Sequence, residues 1–112
     1  MTAVPGVMTP SEIERAYALG CSVQKFFPAG AAGGPSMLKA LAGPYSHLGL
    51  GFVPTGGVSA ENLRSYLELP IVVAVGGSWI VKRDLIASHD WQEIRRRIRE
   101  AREIVASSRP AR

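Results

Sequence analysis

The sequence predicts an α/β fold, a parallel sheet of about three βα units preceded by a helix. Short apolar runs alternate with stretches whose apolar residues recur at helical spacing, the order expected of parallel strands joined by right-handed crossovers. Residues 71–75 form an uninterrupted apolar, β-branched run, as in a strand buried on both faces of a helix-covered sheet. Glycine and proline fall where one element must stop and the next begin.

Residues 4–7 read as the end of a short strand entering a tight turn. Thr9-Pro10-Ser11-Glu12 is a capping box with proline at the first helical position. The helix it opens turns Ile13, Ala16 and Tyr17 inward and stops at Gly20 in a left-handed conformation. Cys21 is expected as a small buried hydrophobe. A strand over residues 22–27 follows, ended by Pro28, with Val23, Lys25 and Phe27 on one face and Gln24 and Phe26 on the other. The glycine-containing loop over 30–35 lacks dinucleotide-binding spacing. A short helix over 35–42 carries Met37, Leu38 and Leu41 inward, and Gly43-Pro44 breaks it. After a connector holding His47, a strand over 50–55 leads into Gly56-Gly57. Ser59 is expected to cap a helix with Leu63, Tyr66 and Leu67 inside, stopped by Pro70. The apolar run then ends in Gly76-Gly77-Ser78-Trp79, and a short helix is expected over 82–87. His89 falls in a loop with no chemical role. Asp90 and Glu93 form a second capping box, opening a helix with Ile94, Ile98, Ala101 and Val105 inside. Residues 1–106 are thus the structured portion and 107–112 a disordered tail.

At 112 residues, 46% apolar and 20% charged, the chain is one globular domain or part of a larger one. No run of eighteen apolar residues and no secretory leader are present, so no membrane association is expected and cytoplasm is the default. A single cysteine makes no internal disulfide, and no spacing suggests a metal. Nine of the 13 basic residues lie from Lys82 onward, which could suggest nucleic acid. Arg95, Arg96, Arg97, Arg99 and Arg102 are however interleaved with Glu93, Glu100 and Glu103, as on a solvated helix face. No nucleic-acid partner is expected.

In parallel α/β folds the chemistry collects at the carboxyl ends of the strands. The first such end carries Lys25, the second Thr55-Gly56-Gly57 and the third Gly76-Gly77-Ser78. An ammonium sharing a face with apolar side chains is poorly solvated, and desolvation favours the neutral, nucleophilic amine. The alternative is a lysine that snorkels to water along its own stem. Two glycine loops in register, each leading to a helix N-terminus, form a candidate phosphate cradle. Together these point to imine chemistry on a phosphorylated keto compound, with Thr55 hydrogen-bonding a carbonyl or carboxylate and Phe27 walling off water.

The residues Val7-x-Thr9-Pro10-Ser11-Glu12, Lys25-Phe26-Phe27-Pro28-Ala29, Ala42-Gly43-Pro44, Pro54-Thr55-Gly56-Gly57-Val58 and Gly76-Gly77-Ser78-Trp79 together resemble the 2-keto-3-deoxy-6-phosphogluconate (KDPG) and 4-hydroxy-2-oxoglutarate aldolases. The Phe-Phe after the lysine and the tryptophan after the second glycine loop favour this family over its phosphogalactonate relative. The resemblance implies a class I aldolase on a TIM (β/α)8 barrel, assembled as a homotrimer, with no metal or other cofactor. It implies Lys25 as the Schiff-base lysine, Thr55 at the pyruvate portion, and Gly56, Gly57, Gly77 and Ser78 at the phosphate, to which the reading of the residues adds Phe27 at the substrate and Gly76 in the phosphate cradle. The implied partners are a phosphorylated keto acid and pyruvate. The match is to the carboxyl-terminal part of the family only, because a closed barrel takes about 200 residues or more. The chain is therefore expected as a truncated, partial barrel, with the family's general acid/base glutamate and its carboxylate-binding arginine in the unmatched part. Glu12, Glu14, Glu61 and Glu68 do not replace that glutamate. On this view the Lys25 strand is an uncovered edge and turnover is weak. The alternative is a non-catalytic half-barrel that binds a phosphorylated ligand or a partner chain.

Overall fold

The computed structural model describes residues 1–108. Strand β1 (Gly6–Val7) leads to helix α1 (Pro10–Ala18), β2 (Val23–Phe26), α2 (Gly34–Ala42), a 3₁₀ turn (Gly43–Leu48), β3 (Gly51–Pro54), α3 (Leu63–Leu67), α4 (Arg83–Ala87) and α5 (Trp91–Ser108). The strands form one parallel sheet in the order β1-β2-β3. The α/β expectation holds.

Three predicted features need correction. The Lys25 strand is not an edge, because Gly6 and Val7 pair with Lys25 and Phe26 and cover its outer side. Residues 71–76 are not a strand buried on both faces. They run parallel to β3 through the bridges Phe52–Val72 and Thr55–Gly76, with Phe52 N–H donating to Ile71 O, Val73 N–H to Phe52 O and Gly76 N–H to Pro54 O at 2.8–3.1 Å. Val72 is buried, whereas Val73 is 40% exposed because no layer covers the opposite face. Finally, α5 continues through Ser107 and Ser108, which were expected in the tail; the rest of that tail lies outside the described residues.

Register explains the core. Val7, Phe26 and Pro54 line up across the sheet, as do Gln24, Phe52 and Val72, and all six are buried. They meet Ile13 and Ala16 of α1, Leu38 of α2 and Leu63, Tyr66 and Leu67 of α3 in one cluster. Gln24, fully buried, donates from Nε2 to Ile13 O and Cys21 O at 3.2 and 3.0 Å, fastening β2 to α1. Tyr17 and Met37, expected inside, are each 42% exposed.

The caps are local and mostly as expected. Thr9 and Glu12 exchange the reciprocal bonds of a capping box, with Glu12 Oε2 also accepting from Met8 N–H. Gly20 takes φ +84°, the left-handed stop. Asp90 Oδ1 accepts from Glu93 N–H, but the second box is only half made, because the Glu93 carboxylate turns to arginines instead.

Candidate functional site

The face opposite the core carries Lys25, flanked in register by Gly6 and Val53, with Val23 beside Gly51 one step below. Gly51 has no room for a side chain, since a Cβ there would lie 2.6 Å from Val73 Cγ1. Lys25 is half-buried on this open face, and its Nζ sits 4.7 Å from the centroid of the Phe27 ring. An aromatic face attracts a cation electrostatically. Phe27 is itself 49% exposed, so the expected dry wall is a partial one.

Thr55 follows Val53 by two residues and shares the face of Lys25, one step nearer the carboxyl rim. Its backbone is held from both sides: Thr55 N–H donates to Phe26 O at 3.0 Å, and Ala29 N–H donates to Thr55 O at 2.9 Å. Its Oγ1 lies 3.0 Å from where a Cβ on Gly76 would be, so glycine there lets the third strand end approach the hydroxyl.

The two glycine loops touch. Gly56 and Gly57 have φ of +97° and +72°, conformations that side chains other than glycine rarely adopt. Gly56 also packs against the Phe27 ring, and its carbonyl accepts from Gly30 N–H at 2.9 Å. A Cβ on Gly77 would overlap the Trp79 ring and come within 3.3 Å of Val58 O in the neighbouring loop. Lys25, Phe27, Thr55, Gly56, Gly57, Gly76 and Gly77 thus converge on one rim. Ser78 is exposed beside them. The helix N-termini expected directly behind the loops are set back, because α3 starts at Leu63 and α4 at Arg83.

Side chains not singled out from the sequence fix these loops. Asn62 Nδ2 donates to Gly57 O at 2.8 Å while its Oδ1 accepts from Ser59 N–H at 2.9 Å. The expected cap at Ser59 is therefore replaced by Asn62 reaching back, and an S-x-x-N spacing was the available signal. Arg97 donates from Nη1 to Trp79 O at 2.6 Å and from Nε to Glu93 Oε1 at 2.7 Å, tying α5 to the second loop. Glu93 is also gripped by Arg96, and the two guanidinium groups hold its carboxyl down at about 2. No local sequence signal announces the Arg97 contact, which spans eighteen residues. Among the described residues, no cluster of His, Cys, Asp or Glu could hold a metal ion, and no helix is long and apolar enough to cross a membrane.

A family profile described as KDPG and KHG aldolase matches residues 1–97. The 2-dehydro-3-deoxy-phosphogluconate aldolase of Haemophilus influenzae is 50% identical over 101 residues, covering 90% of this chain and 47% of its own length. The KHG/KDPG aldolase of Escherichia coli is 44% identical over 98 residues, covering 88% of this chain and 45% of its own. Among solved structures, KDPG aldolase from Legionella pneumophila, with pyruvate captured at low pH as a covalent carbinolamine intermediate, superposes with a TM-score of 0.77 at 42% identity. That match covers 92% of this chain and 46% of the Legionella chain. The chain spans about half the length of the curated relatives it matches.

Proposed function

The chain belongs to the KDPG and KHG aldolase family, and from that premise we propose that it supplies the imine-forming lysine and the phosphate cradle of a class I aldolase. Its substrate is 2-keto-3-deoxy-6-phosphogluconate, cleaved to pyruvate and glyceraldehyde 3-phosphate, with 4-hydroxy-2-oxoglutarate, cleaved to pyruvate and glyoxylate, as a second substrate. The carbinolamine trapped in the Legionella relative supports this reading. The observation that carries it is the convergence of Lys25, Thr55 and the two touching glycine loops on one rim of the sheet.

Lys25 Nζ attacks the keto carbon of the substrate. The carbinolamine loses water to a protonated imine, whose positive nitrogen accepts the electron pair of the C–C bond that breaks. The aldehyde departs as the hydroxyl proton beside the breaking bond passes to a base. The resulting enamine is protonated at carbon, and hydrolysis frees pyruvate and Lys25. Thr55 hydrogen-bonds the pyruvate portion and Phe27 shields the imine nitrogen. Gly56, Gly57, Gly76, Gly77 and Ser78 receive the phosphate, where glycines allow close backbone approach to an anion. The work is done in the cytoplasm and needs no metal.

Proton transfer is the step these residues serve least. Glu12 and Glu14 bond the α1 cap and Tyr45, and Glu93 and Glu100 pair with arginine, so each is committed elsewhere. General acid/base groups contribute about 10²–10⁴-fold, so imine formation outpaces turnover in this chain. Incubation with pyruvate and borohydride, followed by peptide mass mapping, tests the reading. One reduced adduct on Lys25, absent in Lys25→Met, is expected; a folded protein that forms no adduct overturns it. A folded protein that forms no adduct is the behaviour of the second reading, a non-catalytic half-barrel that binds a phosphorylated ligand or a partner chain.

A further inference from the structure

Two arginines of α5 hold Glu93, and they differ in what else they touch. The Arg96 side chain is 59% exposed, and its other bond runs to Glu100 on the same helix. The Arg97 side chain is only 22% exposed, and its other bond runs to the Trp79 carbonyl, eighteen residues away beside Gly76, Gly77 and Ser78. We propose, on the footing of the phosphate cradle set out above, that Arg97 is a positioning residue for the phosphate end of the substrate. It sets the affinity for a phosphorylated keto acid and leaves that for a phosphate-free one unchanged.

The two ends of the second glycine loop are anchored by different means. At its start, Gly76 N–H donates to Pro54 O at 3.1 Å, which fixes the loop beside Thr55. The N–H groups of Gly77 and Ser78 donate to no acceptor among the described residues, which leaves them for an anion. Trp79 closes the loop. Its ring occupies the space that a Cβ on Gly77 would fill. Its indole Nε1 is buried without an acceptor among the described residues, so the polar tie on this residue is the bond from Arg97 to its carbonyl. Arg97 therefore fixes Trp79, and through the ring it fixes Gly77.

A guanidinium suits this task because its donors stand in a rigid planar fork. Nε donates to Glu93 Oε1 at 2.7 Å while Nη1 reaches the Trp79 carbonyl at 2.6 Å, so the carboxylate sets the plane in which the loop is gripped. The pair is partly buried and is therefore screened less by salt than an exposed one. A loop that its ligand must order binds more weakly than one held in advance. Pyruvate and 4-hydroxy-2-oxoglutarate carry no phosphate and have no use for the loop, so the clamp separates substrates instead of serving all of them.

The initial rate of borohydride-trapped adduct at Lys25, followed against concentration with pyruvate and with 2-keto-3-deoxy-6-phosphogluconate, tests this. In Arg97→Met the half-saturating concentration of the phosphorylated compound is expected to rise about tenfold or more, the effect of one lost hydrogen bond to a charged group. That of pyruvate should not move. Arg97→Lys reaches the carbonyl without the fork that also engages Glu93 and should lie between. Arg96→Met removes the same charge from the same helix and should match the wild type with both compounds. An Arg97→Met protein that traps both compounds as the wild type does overturns the inference and leaves the proposed function standing. One that loses pyruvate trapping as well also overturns it, because the role is then structural. So does an Arg96→Met shift equal to that of Arg97→Met, which is general charge attraction. A wild type that does not trap the phosphorylated compound overturns the proposed function, and this inference with it.

Discussion

Gly77→Ala measures how tightly the two glycine loops are pressed together. The added methyl would overlap the Trp79 ring and stand 3.3 Å from Val58 O, so it is confined from two sides. Gly77 is not among the glycines at positive φ, so alanine meets no backbone penalty and the effect is steric. The indole cannot simply swing aside: Trp79 is half-buried, and its carbonyl is held by Arg97 at 2.6 Å. Overpacking of this kind costs about 1–3 kcal/mol, or roughly 5- to 150-fold in the unfolding constant. Urea unfolding followed by far-UV dichroism gives the loss. Emission in a Trp91→Phe background isolates Trp79, since Trp91 is 52% exposed and stacks on His89 instead. Gly43→Ala is the control, because nothing lies within 4 Å of its added methyl. If Gly77→Ala unfolds at the same midpoint as Gly43→Ala, with Trp79 emission unchanged, the loops are not in contact as described.

Asn62→Ala removes both clamps on the first glycine loop, and two hydrogen bonds at about 0.5–1.5 kcal/mol each predict a loss of about 1–3 kcal/mol. Asn62→Asp keeps the acceptor for Ser59 N–H and should lose roughly half as much, with amide exchange at Ser59 speeding up only in the alanine variant. Glu93 sets a pH response. Its folded carboxyl lies at about 2, against an ordinary 4.5, chiefly through Arg96 and then Arg97. A depressed carboxyl contributes stability that is fully present above about 4.5 and is lost as pH falls toward about 2. A carboxyl-carbon NMR titration should find Glu93 well below 4.5, and Glu93→Gln should flatten acid unfolding over that window; a Glu93 midpoint near 4.5 refutes the pairing.

The parts of the fold legible in the sequence were those fixed by contacts a few residues apart. The Thr9 capping box, the Gly20 stop and the buried Leu63, Tyr66 and Leu67 all follow from spacing along one helix or turn. The strand pairing of β1 was not legible, because two residues carry no period and only the hydrogen bonds from β2 define them. The same division runs through the site. Lys25, Thr55 and the glycine pairs stand out because each is an unusual residue at a strand end. Arg97 does not, since it sits in a run of arginines that all suit a solvated helix, and its bond to Trp79 exists only in three dimensions.

The most instructive error concerns which faces are covered. Alternation correctly divided β2 into a Lys25 face and a Gln24 face, and the strongly buried one is the Gln24 face, backed by α1, α2 and α3. Residues 71–75 read as buried on both sides because their side chains are apolar on both sides, yet only Val72 is buried, Ile71 and Val75 are half-buried, and Val73 and Ala74 are exposed. A valine's apolarity records the environment that suits it and does not say which neighbour covers it, and Val73, in register on the Lys25 face, is left 40% exposed.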